Sequence, residues 1–172
     1  MEIISNFLEV SIAIYQADLY FLVMPLIVNA VRLAGRNTDK VLKISSEPPA
    51  AFSCRKRYGD SAIYEIIESD TFQLRCIIEL RTEHALCPLK SVLLEAHHSM
   101  LYRKAGNVVL VVGVSTQCLS VKTAEVSMED QNLKIRKYVE FSLANRRTLS
   151  LDEREASEFV WQISEWLKEY GE

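Results

Sequence analysis

Residues 10–28 form the most apolar stretch of the chain and restrict the folds open to it, because Gln16 and Asp18 are their only strongly polar members. A helix that is apolar on nearly all sides must be covered on all sides. A chain of 172 residues can provide only part of that cover. The stretch therefore predicts core helices with a self-association or partner surface, or else a membrane anchor.

A membrane contact through residues 10–34 is the less favoured interpretation. The longest uninterrupted apolar run, Leu19 to Val28, has ten residues, whereas a span needs about 20. Asp18 would lie inside the window, where a carboxylate costs about 2.5–3.5 kcal/mol on insertion scales. Pro25 also interrupts a simple helix.

The favoured interpretation is one or two buried helices that break near Asp18 or Pro25 and are closed by Gly35. Their surplus apolar surface predicts a homodimer or a bound protein partner. The residues expected to form that interface are Leu19, Leu22, Leu26 and Val31.

Charge and cysteine usage describe an ordinary globular chain. The formal net charge is −3, from 20 Lys and Arg against 23 Asp and Glu. Such a balance does not indicate a nucleic-acid wrapper or a polybasic membrane binder. The four cysteines include no CxxC pair, which is typical of a reducing compartment. Glu2 and the lack of an early Lys or Arg argue against a secretory signal. We therefore expect a cytoplasmic protein.

Residues 37–172 show alternating and helical patterns in the order three strands, helix, three strands, helix. Residues 72–80 place alternate apolar side chains on one strand face, and residues 108–114 are apolar enough for a central strand. Helices are expected at 88–104, where Gly106 can cap the end, and at 151–170. We predict an α+β fold in which two βββα units form a largely antiparallel sheet covered by these helices. With the apolar helical segment 1–36, this makes a single domain.

The expected core is drawn from both faces of the sheet and from the helices that cover it. Its members are Leu74, Ile78, Val92, Leu93, Val109, Val111, Phe141, Phe159 and Ile163.

Metal and cofactor chemistry has little support in the sequence. There is no GxGxxG, Walker A, HExxH or GxSxG motif, so no cofactor is predicted. His84 and Cys87 have a usable ligand spacing, but a structural zinc site normally shows two such pairs. A surface histidine and a buried thiol are the simpler interpretation.

A nuclease is the enzymatic alternative. In the strand around Glu79 and Arg81, with Asp60 or Asp70 upstream, the order of elements over residues 60–115 resembles the core of the PD-(D/E)xK nucleases. The resemblance implies two carboxylates on a divalent metal and a cation near the attacking water. Arg81 stands where that family has Lys. The simpler interpretation is that Glu79 and Arg81 form the solvent side of an amphipathic strand.

Nucleic-acid binding is the second alternative. Lys134, Arg136 and Tyr138 alternate along one predicted strand, and Arg146 and Arg147 follow in a loop. Basic residues interleaved with an aromatic can track a single strand and stack a base. The doubled βββα order also resembles the Whirly-type single-strand binders. A solvated outer face is the simpler interpretation.

The order of elements across residues 37–170, with one extra strand, resembles that of the type III secretion chaperones, which are small acidic dimers. Fold analogy does not carry function. Taken with the apolar segment, the sequence favours a non-enzymatic binding or adaptor protein acting through protein–protein contacts.

Overall fold

The computed structural model describes residues 16–45, 61–68, 71–81, 89–101, 105–115, 120–144 and 151–169. These ranges contain three helices and six strands. The helices are α1 (Gln16–Arg36), α2 (Leu89–Leu101) and α3 (Glu153–Glu169). The strands are β1 (Val41–Ser45), β2 (Ser61–Glu68), β3 (Thr71–Arg81), β4 (Ala105–Ser115), β5 (Ser120–Glu129) and β6 (Asn132–Ser142).

The described strands form one six-stranded mixed sheet in the order β1-β2-β3-β4-β5-β6. The pair β3–β4 is parallel, and the other neighbours are antiparallel. A parallel pair needs a long crossover, and α2 lies within the connection from β3 to β4. The predicted α+β class is confirmed, although the sheet is mixed.

Helices cover both faces of the sheet. Helices α1 and α3 pack on one side, called here the α1/α3 face, with Cys76, Leu110 and Phe141 in the same apolar core. Helix α2 packs on the other side, the α2 face, against Leu74 and Val111. This arrangement explains why β4 is apolar on both sides, since its side chains enter the two cores alternately.

The core prediction is largely confirmed. Leu93 is half-buried, and the side chain of Val92 lies outside the described part. The fully buried members are Leu74, Ile78, Val109, Val111, Phe141, Phe159 and Ile163.

The alternation of β3 predicted that its alternate apolar side chains all lie on one face of the sheet. In the structure they change face part of the way along the strand. Its pairing with β2 shifts at this point, because Tyr64 pairs with Leu74 and Ile63 with Cys76, which leaves Arg75 as the extra residue of a β-bulge. Leu74 therefore lies on the α2 face, whereas Cys76 and Ile78 lie on the α1/α3 face. The prediction that these three side chains share a face is wrong.

Helix α1 continues across Pro25, which was one of the two places where a break was expected. Pro25 lies on the exposed side of the helix, where solvent can hydrate a backbone that has lost one N–H donor. Gly35 belongs to the last turn and does not cap it. The end of the helix is closed by two side chains that follow it. The side-chain Nδ2 of Asn37 donates to the Leu33 carbonyl at 3.1 Å, and the Thr38 hydroxyl donates to the Ala34 carbonyl at 2.9 Å. None of the described helices is long and apolar enough to span a membrane.

The second half of the chain contains two well-defined local signals. Asp152 caps α3, since its Oδ1 accepts from the backbone N–H groups of Arg154 and Glu155, both at 3.1 Å. The β5–β6 hairpin turns at Asp130 and Gln131, whose φ angles are 50° and 65°, as a two-residue type I′ turn requires. Gly106, predicted as a helix cap, lies in β4.

Candidate functional site

A groove between α1 and α3 opens to solvent along the two helices. Residues 25–33 of α1 and 156–161 of α3 line it, and the two helices run in the same direction, because their C-terminal ends are in contact. Lys40, just after α1, donates from Nζ to the carbonyls of Leu167 and Lys168 at the C-terminal end of α3, at 3.3 and 2.9 Å. These contacts fix the relative position of the two groove walls.

The groove has a volume of about 670 Å³, and apolar side chains dominate its walls. Trp161 is 57% exposed and Val28 is 41% exposed, which is unusual for large apolar side chains beside a core. We call this surface the α1–α3 groove. It is lined by Pro25, Leu26, Val28, Asn29, Arg32, Leu33, Ala156, Ser157, Val160 and Trp161.

Arg32 is the charged member of the lining. It is exposed and forms no ion pair with any residue that the structure describes. An apolar cleft with one unpartnered guanidinium suits an apolar surface that also brings a carboxylate.

The predicted interface residues lie mostly in the core of the chain itself. Leu22, Leu26 and Val31 are buried at 3%, 7% and 9% exposure, while the side chain of Leu19 lies outside the described part. A self-association surface on α1 must therefore use the exposed stripe that includes Val28 and not these buried residues. The reason is that α1 packs directly against α3 and the sheet.

The nuclease residues are not assembled into a site by the described residues. Glu79 is 5% exposed, so the expectation that it lies on a solvent face is wrong. After the bulge at Arg75, Glu79 lies on the same strand face as Ile77, which is the α2 face. Arg81 ends β3, but its side chain lies outside the described part, as do Asp60 and Asp70 entirely.

The predicted nucleic-acid face is divided by a second bulge. Lys137 pairs with Glu125 but Ile135 pairs with Val126, so Arg136 is the extra residue. The alternation predicted for β6 is therefore interrupted at this point.

Lys134 and Arg136 lie on the α1/α3 side of this edge, where Arg136 Nε donates to Ser127 Oγ at 2.9 Å. Tyr138 lies on the α2 side, opposite Ala124, and its hydroxyl donates to Glu140 at 3.3 Å. The two cations and the ring therefore do not form one surface. Arg146 and Arg147 lie outside the described residues.

Neighbouring charges account for the titration of this edge. The pKa of Glu129 is lowered because Lys134 donates a hydrogen bond to its carboxylate and adds a favourable charge. The pKa of Tyr138 is raised, first by burial and then by the Glu140 carboxylate. Glu140 has a lowered pKa because Ser120 donates to it at 2.8 Å. Lys134 and Glu140 are thus engaged within the chain.

The metal prediction for His84 and Cys87 falls outside the described residues. Within them, no three His, Cys, Asp or Glu side chains are grouped as a metal site. His97, which the structure does describe, lies with Nε2 3.1 Å from the Gln131 carbonyl oxygen at the β5–β6 turn. Burial raises the pKa of the Cys76 thiol, which makes it a core side chain and not a nucleophile.

A buried ion pair beneath α3 was not foreseen from the sequence. Arg75 Nε lies 3.3 Å from Glu65 Oε2, and the side chains are 4% and 8% exposed. Burial lowers the pKa of Arg75, while the Glu65 carboxylate opposes that shift. The alternation of β3 placed Arg75 in solvent, and only recognition of the bulge could have placed it inside.

A second, smaller cavity of about 130 Å³ lies between the sheet and α3. It is polar on the sheet side, where Thr123, Glu125 and Lys137 line it, and aromatic on the helix side, where Trp161 and Trp166 line it. Lys137 Nζ lies 4.0 Å from Glu125 Oε1, so these two charges at the sheet side of the cavity are paired with each other. Trp161 contributes to both cavities.

Comparison with known proteins finds no matching family, no matching curated protein and no matching solved structure.

Proposed function

We propose that this protein is a non-enzymatic binding or adaptor protein that acts through protein–protein contacts and self-associates through the α1–α3 groove. The observation that carries the proposal is the exposure of Trp161 at the edge of an apolar groove. Tryptophan is among the residues that most often anchor protein interfaces, where its large apolar area is removed from water.

The composition of the groove supports a protein surface as the occupant. Its walls come from two parallel helices, and its lining on α1 recurs at Pro25, Val28 or Asn29, and Arg32. This is the spacing of one helix face, so the two helices present one continuous surface against which the helices of a partner can pack. Apolar contacts in the centre with a guanidinium at the edge match the usual arrangement of interfaces.

Two further elements belong to the same proposal. Residues 1–36 act as one apolar helical segment that supplies α1 to the groove. Two βββα units form the rest of the domain, and the order of the described strands and helices supports that arrangement. The free thiol of Cys76 is compatible with a cytoplasmic location, because the cytosol keeps thiols reduced.

The test is the oligomeric state of the purified full-length chain, measured by sedimentation velocity from low to high micromolar concentration. Trp161→Asp removes the exposed anchor and puts a charge at the groove edge. Leu94→Asp is the matched control, since Leu94 is 64% exposed on α2, on the opposite side of the sheet.

We expect the wild type and Leu94→Asp to dimerise and Trp161→Asp to sediment as a monomer. Both variants should keep thermal stability close to that of the wild type, because exposed positions rarely change it by more than about 0.5 kcal/mol. A wild-type monomer at high micromolar concentration, or equal dimerisation of both variants, would refute the proposal.

A further inference from the structure

We infer that the groove binds a second copy of this chain, related by a two-fold axis that crosses the groove near Asn29. The inference rests on the proposed function and specifies its geometry. It is argued from two exposed charges of opposite sign, Arg36 at one end of the groove and Glu153 at the other.

The basic end of the groove belongs to α1. Asn29 and Arg36 are seven residues apart, so they lie on the same stripe of the helix, and both are exposed. Arg32 lies between them on the groove lining. Neither arginine forms an ion pair with a residue in the described ranges.

The first turn of α3 carries the acidic group, Glu153, with Arg154 beside it towards the Trp161 edge. Glu153 lies one turn before Ser157, which lines the groove, and so continues the same stripe. It is exposed, and it too has no ion-pair partner among the described side chains. Because α1 and α3 run in the same direction, Glu153 and Arg36 lie at opposite ends of the groove.

The distances from the centre match. The lined part of α1 is centred at Asn29 and that of α3 between Glu158 and Phe159. At 1.5 Å of rise per residue, Arg36 lies ~10 Å beyond the centre and Glu153 ~8 Å before it. A two-fold rotation about the centre therefore brings Arg36 of each copy opposite Glu153 of the partner subunit, within the reach of an arginine side chain.

The same rotation brings the apolar centres together. Val28 and Trp161 of each copy meet the partner's groove, which gives the self-complementary patch that a two-fold interface requires. An unrelated acidic helix would satisfy the arginines but would leave Glu153 facing a like charge or no partner. The presence of both signs on one surface therefore favours a second copy as the occupant.

Charge reversal provides the test, with the dimer dissociation constant measured by sedimentation equilibrium on the full chain. Arg36→Glu and Glu153→Arg each place like charges together twice per dimer, and each should weaken dimerisation roughly tenfold. Glu158→Arg is the matched control, because Glu158 is exposed on α3 but does not line the groove. It should leave the constant unchanged. Thermal unfolding of every variant confirms that the fold is retained.

Mixing the two reversed variants is the decisive experiment. An Arg36→Glu subunit and a Glu153→Arg subunit restore both opposite-charge contacts, so the mixture should dimerise nearly as tightly as the wild type. If Arg36 and Glu153 instead interact within one chain, the mixture would not regain dimerisation and only the double variant carrying both substitutions would. That result would overturn the inference.

Charge reversals that act no more strongly than Glu158→Arg would also overturn it. If Trp161→Asp still abolished dimerisation in that case, the proposed function would remain and only the two-fold geometry would be wrong. If Trp161→Asp had no effect either, both would be refuted.

Discussion

The guanidinium carbon of Arg75 lies 5.5 Å from the centre of the Trp166 ring, in the layer between the sheet and α3. A cation over an indole face is attracted by the ring quadrupole, and more strongly where water is excluded. Trp166 is buried, so this contact ties β3 to α3 from beneath the helix, while Trp161 on the same helix remains exposed at the groove.

Removing Arg75 should strongly destabilise the fold, because the Glu65 carboxylate would remain buried without its partner. Arg75→Met should lower the free energy of unfolding by about 3–5 kcal/mol. The double variant Glu65→Leu with Arg75→Met should recover most of that loss, since neither charge is then buried. Urea unfolding of the three proteins checks this, and a double variant no more stable than Arg75→Met would contradict it.

Substitution at Leu22 should affect stability and not specifically the groove surface. Leu22 is buried against α3 and the sheet, so Leu22→Ala should lower the free energy of unfolding by about 2–5 kcal/mol. Val28→Ala, on the exposed stripe of the same helix, should change it by less than about 1 kcal/mol. Thermal or urea unfolding decides, and similar losses at the two positions would show that α1 is not oriented as described.

Glycine at position 131 should stabilise the protein. Gln131 has a φ of 65°, a conformation that costs a side-chain-bearing residue roughly 1 kcal/mol and glycine very little. Gln131→Gly should therefore raise the free energy of unfolding by about 0.5 kcal/mol, after the greater flexibility of glycine in the unfolded chain is counted. Gln131→Ala, which keeps the strain, is the control and should not stabilise.

Removal of the Lys134 ammonium should raise the pKa of Glu129 towards its ordinary value. The folded pKa is now lowered, mainly by the hydrogen bond from Lys134. The stabilisation that this contact supplies is therefore complete above the unfolded pKa of ~4.3, and it is lost as pH falls through the lowered folded pKa. Carboxyl-carbon NMR titration of Lys134→Ala measures the shift. An unchanged Glu129 pKa would show that the contact does not exist in solution.

Periodicity predicted the elements of the fold better than it predicted which side chains share a face. The apolar alternation of β3 and the apolar run of β4 gave the correct strands, because burial on one or two faces leaves a direct signal in composition. The α3 prediction was also close, since Asp152 and the acidic first turn mark its start.

The candidate site could not be derived in the same way. Whether Leu22 or Val28 of α1 faces the core depends on how α3 is placed beside it, and that placement rests on contacts distant in sequence, such as Lys40 with Leu167. An almost wholly apolar helix gives no amphipathic pattern to orient it. The interface predicted from the sequence was therefore placed on residues of α1 that the structure buries.

The bulges at Arg75 and Arg136 also determine how these strands tolerate changes in length. Arg75 is one residue by which β3 exceeds β2, and Arg136 is one residue by which β6 exceeds β5. Loss of either residue would make the pairing with β2 or β5 regular at this point, with the side chains before and after it still directed to their present faces. Loss of one residue from the regular part after the bulge, such as Ile77, would reverse every position up to the end of the strand. Strand β6 can therefore lose Arg136 by a single codon without turning the core outward, whereas loss of Arg75 from β3 would keep the faces but would leave the buried Glu65 carboxylate without its partner.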